Sequence, residues 1–186
     1  MATTFESIDA SLAEWLQEQP VFFVATAPLD RGGLVNCSPK GTHGTFRVLD
    51  ASRVGYLDLT GSGVETIAHL RENGRIVVMF CAFDGRPRIV RLHGSGSVVT
   101  AADPAFDELV GQFSAHPGVR SVIVVDVTRI SESCGYAVPV MDYREDRHAL
   151  DATSQKKGED GLRVYRNERN AVSLDGLPGL DPVPTP

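Results

Sequence analysis

The N-terminal stretch places Ile8, Leu12, Trp15 and Leu16 near one face of a helix, with Ser7 as the expected cap and Pro20 ending the pattern. Val21-Phe22-Phe23-Val24-Ala25-Thr26 is short, branched and aromatic, which predicts a central strand covered on both faces. Pro28 to Gly33 reads as a hairpin connection into a strand over residues 34–38, and Pro39-Lys40-Gly41-Thr42-His43-Gly44 as a polar loop. Residues 53–59 predict the next strand. The period then changes. Ser62 and Glu65 have capping-box spacing, Val64, Ile67, Ala68 and Arg71 share a helical face, and Asn73-Gly74 closes that helix.

Residues 75–81 predict a strand, Asp84-Gly85-Arg86-Pro87 a turn, and residues 88–99 a long or bent strand whose glycines permit a bulge. Asp103-Pro104 has the form of a helix start, with Phe106, Leu109, Val110 and Phe113 as the apolar face. Ser121 to Val127 is the strongest strand pattern, followed by a turn and a short extended piece over 131–139. From Met141 to Asn170 the chain turns charged, with seven acidic and seven basic residues. Local helices are expected at 142–152 and 160–167, with a hinge at 155–158. The end, residues 175–186, reads as a docked arm or a loose tail. Leu162, Val164, Tyr165, Val172, Leu174, Leu177 and Leu180 favour docking of part of 160–180.

Many short strands and few helices, without a sustained βαβ rhythm, predict a mainly β chain. The expected architecture is an antiparallel barrel with peripheral helices. There is no Walker sequence and no GxGxxG. The 186 residues fit one principal core, and 18 basic against 24 acidic residues give a net charge of −6. That balance argues against broad adhesion to nucleic acid or an anionic membrane. No apolar run approaches the ~18 residues of a membrane span. Cys37, Cys81 and Cys134 form no metal-binding pattern, and an odd count in a chain of this size predicts reduced thiols. The N-terminus does not read as a secretion signal. A cytoplasmic protein is expected.

Ser38 and Lys40 on one loop, with Thr60, Ser62 and Thr66 around the start of the helix, form the best anion-binding group. Backbone amides and the positive helix end attract phosphate, hydroxyls donate, and Lys40 adds charge. The same residues also serve as ordinary caps and turns, and both readings stand at this level. Arg75, Arg88 and Arg91 form a second set, with Arg75 favoured by its place beside the helix end. Strand parity keeps Arg88 and Arg91 out of one pocket unless a bulge intervenes. His43, His69, His93, His116 and His148 are scattered. Cys134 has no neighbouring base that would activate it.

The order of these elements resembles the pyridoxamine 5′-phosphate oxidase-like, flavin-binding split-barrel family. The resemblance runs through residues 21–26, Asn36-Cys37-Ser38-Pro39-Lys40-Gly41, residues 54–66, Asn73 to Phe80 and Gly85 to Gly96. It covers roughly positions 20–130. It implies an antiparallel split β-barrel over 1–140 with its N-terminal helix; the apolar anchors named above make residues 141–186 a C-terminal arm expected to dock partly on it. It further implies a homodimer with FMN between the subunits. Ser38, Lys40, Thr60, Ser62, Thr66 and Arg75 then fall where the family binds the FMN phosphate. Asn36, Tyr56, Leu57 and Asp58 fall beside the ring or ribityl chain, and Arg88 joins the set as an arginine that meets the ligand. The implied activity is an FMN-dependent oxidoreductase acting on a small molecule. A deazaflavin-dependent reductase and a flavin-binding, sensing or storage protein are the alternatives, and haem lacks an axial histidine. The chain departs from true pyridoxamine phosphate oxidases at Thr60-Gly61-Ser62-Gly63-Val64, which carries no basic residue, and in residues 171–180, which lack their basic substrate-recognition pattern.

Overall fold

A computed structural model describes residues 3–184; the last two residues of the predicted tail lie outside them. Eight strands and four helices follow in the order β1 (Thr3–Phe5), α1 (Ala10–Glu18), β2 (Val21–Thr26), β3 (Asn36–Gly41), β4 (Phe46–Val48), β5 (Arg53–Leu59), α2 (Glu65–Asn73), β6 (Arg75–Cys81), β7 (Ile89–Val99), α3 (Phe106–Val110), β8 (Val119–Ser133) and α4 (Ala149–Arg169). The sheet runs β3-β2-β6-β7-β8-β5-β4, with β1 also on β8. Each pairing is antiparallel.

Side-chain chemistry curls this sheet. Phe22 on β2 lies 5.3 Å from Phe46 on β4 and 5.5 Å from Tyr56 on β5, centroid to centroid, although those strands sit toward opposite ends of the hydrogen-bonded order. Phe80 completes the cluster at 5.6 Å from Phe22 and 5.0 Å from Phe46. Bringing these rings together buries large apolar area and folds the sheet onto itself. Leu12 and Leu16 of α1, with Ile67 and Leu70 of α2, add to the same core. The result is an antiparallel split β-barrel with peripheral helices.

Gly94 sits where the β7–β8 register shifts. A Cβ there would meet the Asp126 carbonyl oxygen at 2.2 Å, a backbone atom that moves only if β8 moves. Gly94→Ala is expected to cost about 1–3 kcal/mol in urea unfolding. An unchanged midpoint would show that the two strands yield freely at the bulge.

Several local expectations are corrected. Asp9, not Ser7, caps α1, accepting from the Leu12 amide at 2.8 Å. The polar loop expected at Pro39 is instead the second half of β3. Proline is tolerated there because β3 is an edge strand. The Ser62/Glu65 capping box does not form: Val64 is the N-cap of α2, and Glu65 accepts from the Leu174 amide at 3.3 Å. Asp103 binds back to Thr100 rather than capping a helix, and α3 begins only at Phe106. The short strands β1 and β4 carry too few residues to show a period. The expected hinge near 155–158 appears as a kink in α4 at Gly158, whose φ is 63°. Residues 142–148, expected to be helical, carry no regular structure.

Beyond α4 the chain lies on α2 and on the connection between β2 and β3. Val172 bridges Pro178, Leu180 packs on the core, and the Arg71 guanidinium donates to the Gly179 carbonyl.

Candidate functional site

A cavity of about 960 Å³ opens between β3, the β5–α2 connection, the start of β8 and residues 141–150. β3 supplies Asn36, Ser38 and Lys40, because alternate residues of an edge strand point to one face. Leu57 and Leu59 give an apolar wall, Gly61 and Gly63 bring backbone close, and Thr66 stands on the first turn of α2. Arg120 enters from β8. Met141, Tyr143 and Leu150 form the outer wall, on a segment tied down where Met141 donates to the Phe83 carbonyl at 2.9 Å and the His43 amide to Asp146 at 2.8 Å.

Asp58 organises the charged end. It is fully buried and accepts from Arg120 Nε at 2.6 Å, Arg120 Nη2 at 3.3 Å and Ser121 Oγ at 3.1 Å, with Lys40 Nζ at 3.5 Å. Burial pushes its carboxyl pKa up. Arg120, Lys40 and the hydrogen bonds outweigh that and hold it below 3.8. One carboxylate thus fixes two cations at the cavity wall, leaving a net positive charge among the three.

A hydrogen-bonded chain leads away from the same β3 face. Ser38 Oγ lies 2.8 Å from Asn36 Oδ1, and Asn36 Nδ2 lies 3.1 Å from Thr26 Oγ1 and 3.0 Å from Thr66 Oγ1. Thr26 meets Nδ1 of the fully buried His69 at 2.9 Å, whose Nε2 faces Asp175 at 3.3 Å.

Of the residues singled out in the sequence, Asn36, Ser38, Lys40, Leu57 and Thr66 come together on this cavity. Asp58 lies behind it as the shared anion. Tyr56 faces the aromatic core instead, its buried hydroxyl without a partner. Burial, then the Asp58 charge, raises that phenol well above 10.0, so it stays protonated. Thr60 donates to the Gly118 carbonyl at 2.7 Å and accepts from Arg166 at 2.9 Å, a tie between loops. The Ser62 carbonyl accepts from Asn170 at 3.4 Å, and its hydroxyl is not part of the wall. Arg75 binds the Pro28 carbonyl at 3.0 Å and Asn73 at 3.2 Å, away from the cavity. Arg88 pairs with Glu132 and covers the Trp15 ring at 4.3 Å. It lines a second cleft of about 610 Å³, which meets the first at Pro20, Phe83 and residues 141–143. Arg91, on the opposite parity, donates to Ser133 at 3.1 Å.

Sequence reasoning missed Arg120 and the 141–150 wall. The available signal for Arg120 was an arginine two residues before the apolar run Val122-Ile123-Val124-Val125 of β8, a position that requires a buried partner. The wall gave no periodic signal.

Residues 8–134 match the family model described as pyridoxamine 5′-phosphate oxidase. The chain is 42% identical over 198 residues to the pyridoxamine 5′-phosphate oxidase family protein ustO of Aspergillus flavus, across 97% of this chain and 78% of that protein. Two solved structures of HupZ from Group A Streptococcus, one of a point variant, share the fold. The variant has a TM-score of 0.51 at 24% identity, covering 68% of this chain and 99% of that one. The other has a TM-score of 0.50 at 22% identity, covering 66% and 91%. With the match spanning the barrel and the curated relative spanning nearly the whole chain, this protein belongs to the pyridoxamine 5′-phosphate oxidase family.

Proposed function

We propose that the protein is an FMN-dependent oxidoreductase acting on a small molecule. The observation that carries this reading is the mixed lining of the main cavity, in which Lys40 and Arg120, joined through Asp58, and the apolar side chains of Leu57, Leu59 and Met141 border one space, with the carboxylates of Glu65, Asp142, Glu145 and Asp146 also on its wall. The donor set fits a flavin mononucleotide. Beside the two cations, α2 begins at Val64 with no side chain capping its first amides, a natural seat for a phosphate oxygen. One Glu65 oxygen accepts from the Leu174 amide of the arm, while the other stays beside Gly63 on the cavity wall and would turn aside for an anion. The cavity volume lies at the upper end of the ~300–1,000 Å³ of ordinary cofactor sites.

Lys40 would hold the phosphate, and Arg120, four of whose five N–H groups go to Asp58 and to the Gly61 and Gly63 carbonyls, would add the remaining one on Nη1, with Asp58 keeping both cations in place. Leu57, Leu59 and Met141 exclude water from the ring. A bound flavin supplies hydride or electron transfer at its N5. The second cleft, joined to the first at residues 141–143, is where a substrate approaches. In this proposal Arg75 and Arg88, held by other partners in the same chain, lie outside the cofactor's contacts. Arg75→Ala is expected to change FMN affinity by less than twofold in a fluorescence titration; a loss beyond tenfold would return Arg75 to the site.

The working unit in this proposal is a homodimer. Outward positions of adjacent strands line up as Pro39–Phe23–Met79 and Cys37–Ala25–Val77, an apolar sheet face that a second copy covers. Free Cys37, Cys81 and Cys134 suit a reducing compartment such as the cytoplasm. No helix among the described residues is long and apolar enough to cross a membrane.

Purified protein titrated with FMN should bind one per chain, as a dimer at dilute concentration by mass measurement. Anaerobic reduction of the bound flavin by a nicotinamide cofactor, with turnover on an acceptor, supports the oxidoreductase. Binding of a deazaflavin alone, or of neither, overturns the cofactor assignment. Bound FMN with no accelerated redox exchange overturns the enzyme.

A further inference from the structure

We infer that His69, oriented by Asp175 of the C-terminal arm, sets which way hydrogen bonds run at the cavity wall, so that Ser38 faces the ligand as an acceptor and Thr66 as a donor. The inference rests, for its ligand, on the FMN reading; for its hydrogen-bond order it rests on the chain alone.

The order follows from counting donors. A carboxylate only accepts. Asp175 takes the Leu34 amide at Oδ1, 2.9 Å away, and faces His69 Nε2 with Oδ2 at 3.3 Å, so Nε2 carries the ring hydrogen. In the neutral ring Nδ1 is then an acceptor, and the Thr26 hydroxyl at 2.9 Å donates to it. Having spent its hydrogen, the Thr26 oxygen accepts from Asn36 Nδ2 at 3.1 Å. The second Nδ2 hydrogen goes to Thr66 Oγ1 at 3.0 Å. That fixes the amide orientation: Asn36 Oδ1 faces Ser38 and takes its hydroxyl hydrogen at 2.8 Å. Ser38 keeps only lone pairs for the cavity, while the Thr66 hydrogen remains free to donate. Every link is consistent with the next, and the fully reversed chain is the other arrangement that gives the Thr26 hydrogen an acceptor among these groups.

This order has a chemical consequence. A lone-pair-only serine repels a phosphate oxygen and suits an N–H or O–H. Ser38 therefore pairs with a donor on the ring or ribityl part of the ligand, and Lys40 and Arg120 are left to the phosphate. His69 is a positioning residue in this scheme; it touches no ligand.

Asp175→Asn tests it with little change of shape. The asparagine oxygen still accepts from Leu34, but its NH2 now faces Nε2, which drives the ring hydrogen to Nδ1. Thr26 then accepts from His69, and its own buried hydrogen finds an acceptor among its contacts only if the Asn36 amide flips, which turns the Ser38 hydrogen outward. Apo protein labelled with 15N at histidine reports the tautomer through long-range proton–nitrogen correlations, with His69→Gln assigning the signal. The native ring should carry its hydrogen at Nε2 and D175N at Nδ1. Native His69 protonated at Nδ1, as the other tautomer or as imidazolium, overturns the inference, as does an unchanged tautomer in D175N.

The ligand arm uses FMN titration. D175N and Ser38→Ala should each weaken binding about tenfold, the value of one buried hydrogen bond. In the D175N background, S38A should cost less than a further twofold, because the serine already opposes its partner. Additive losses overturn the proposed coupling. If native protein binds no FMN, the functional reading fails, while the tautomers still decide the relay.

Discussion

Arg120→Met is expected to lower stability by about 3–5 kcal/mol in urea unfolding, the largest single-residue effect at the site. The reason is Asp58, which has no exposure and takes two of its close contacts from the Arg120 guanidinium. Without that group the carboxylate keeps only Ser121 at 3.1 Å and the partly exposed Lys40 at 3.5 Å. Burial then dominates and the group must protonate or pull water into the barrel. Adding Asp58→Asn to R120M removes the stranded charge, so the double variant should recover part of the loss. A cycle in which the two changes simply add would show that the pair is not the cause. The pH dependence has a definite sign. Because Asp58 is held below its ordinary value, its contribution is fully present above the unfolded carboxylate pKa of about 3.9. It is lost as pH falls through the lower folded value. In R120M the acid limb of the stability curve should begin at higher pH.

The sheet was legible in the sequence wherever strands are apolar runs. β2, β5, β6, β7 and β8 all contain stretches of Val, Ile, Leu or aromatic residues whose burial alone dictates a strand. β3 was half legible, since Pro39 argues against a central strand, and only the sheet order reveals it at the edge. The site was legible where its residues share one strand face or one helix start: Asn36, Ser38 and Lys40 on β3, and Thr66 on α2. It was not legible where a partner comes from far along the chain. Asp58 and Arg120 are 62 residues apart, His69 and Asp175 are 106 apart, and Glu65 and Leu174 are 109 apart. Local pattern also misled. Ser62 and Glu65 have capping spacing, but the arm offers Glu65 a backbone amide and the box gives way. Tyr56 and Asp58 share the inner face of β5, yet one meets rings and the other meets cations, a distinction that only the curl of the sheet creates.

Lys40→Ala is expected to weaken FMN binding roughly 10–100-fold, as loss of a hydrogen bond to a charged group costs about 1.5–3 kcal/mol. The fold should tolerate the change. Lys40 is partly exposed and its 3.5 Å contact is the longest that Asp58 makes, while Arg120 continues to hold the carboxylate. Stability in urea should therefore move by less than about 1 kcal/mol. The decisive comparison is with riboflavin, which has the ring and ribityl chain but no phosphate. If Lys40 meets the phosphate, K40A lowers FMN affinity and leaves riboflavin affinity near its native value, and the FMN loss shrinks as salt rises because a screened charge has less to lose. Lys40→Arg, which keeps the charge on a longer and planar head, should recover part of the binding. Equal losses for FMN and riboflavin would move Lys40 to the ring. No loss for either would leave Arg120 and the first turn of α2 as the phosphate seat by themselves.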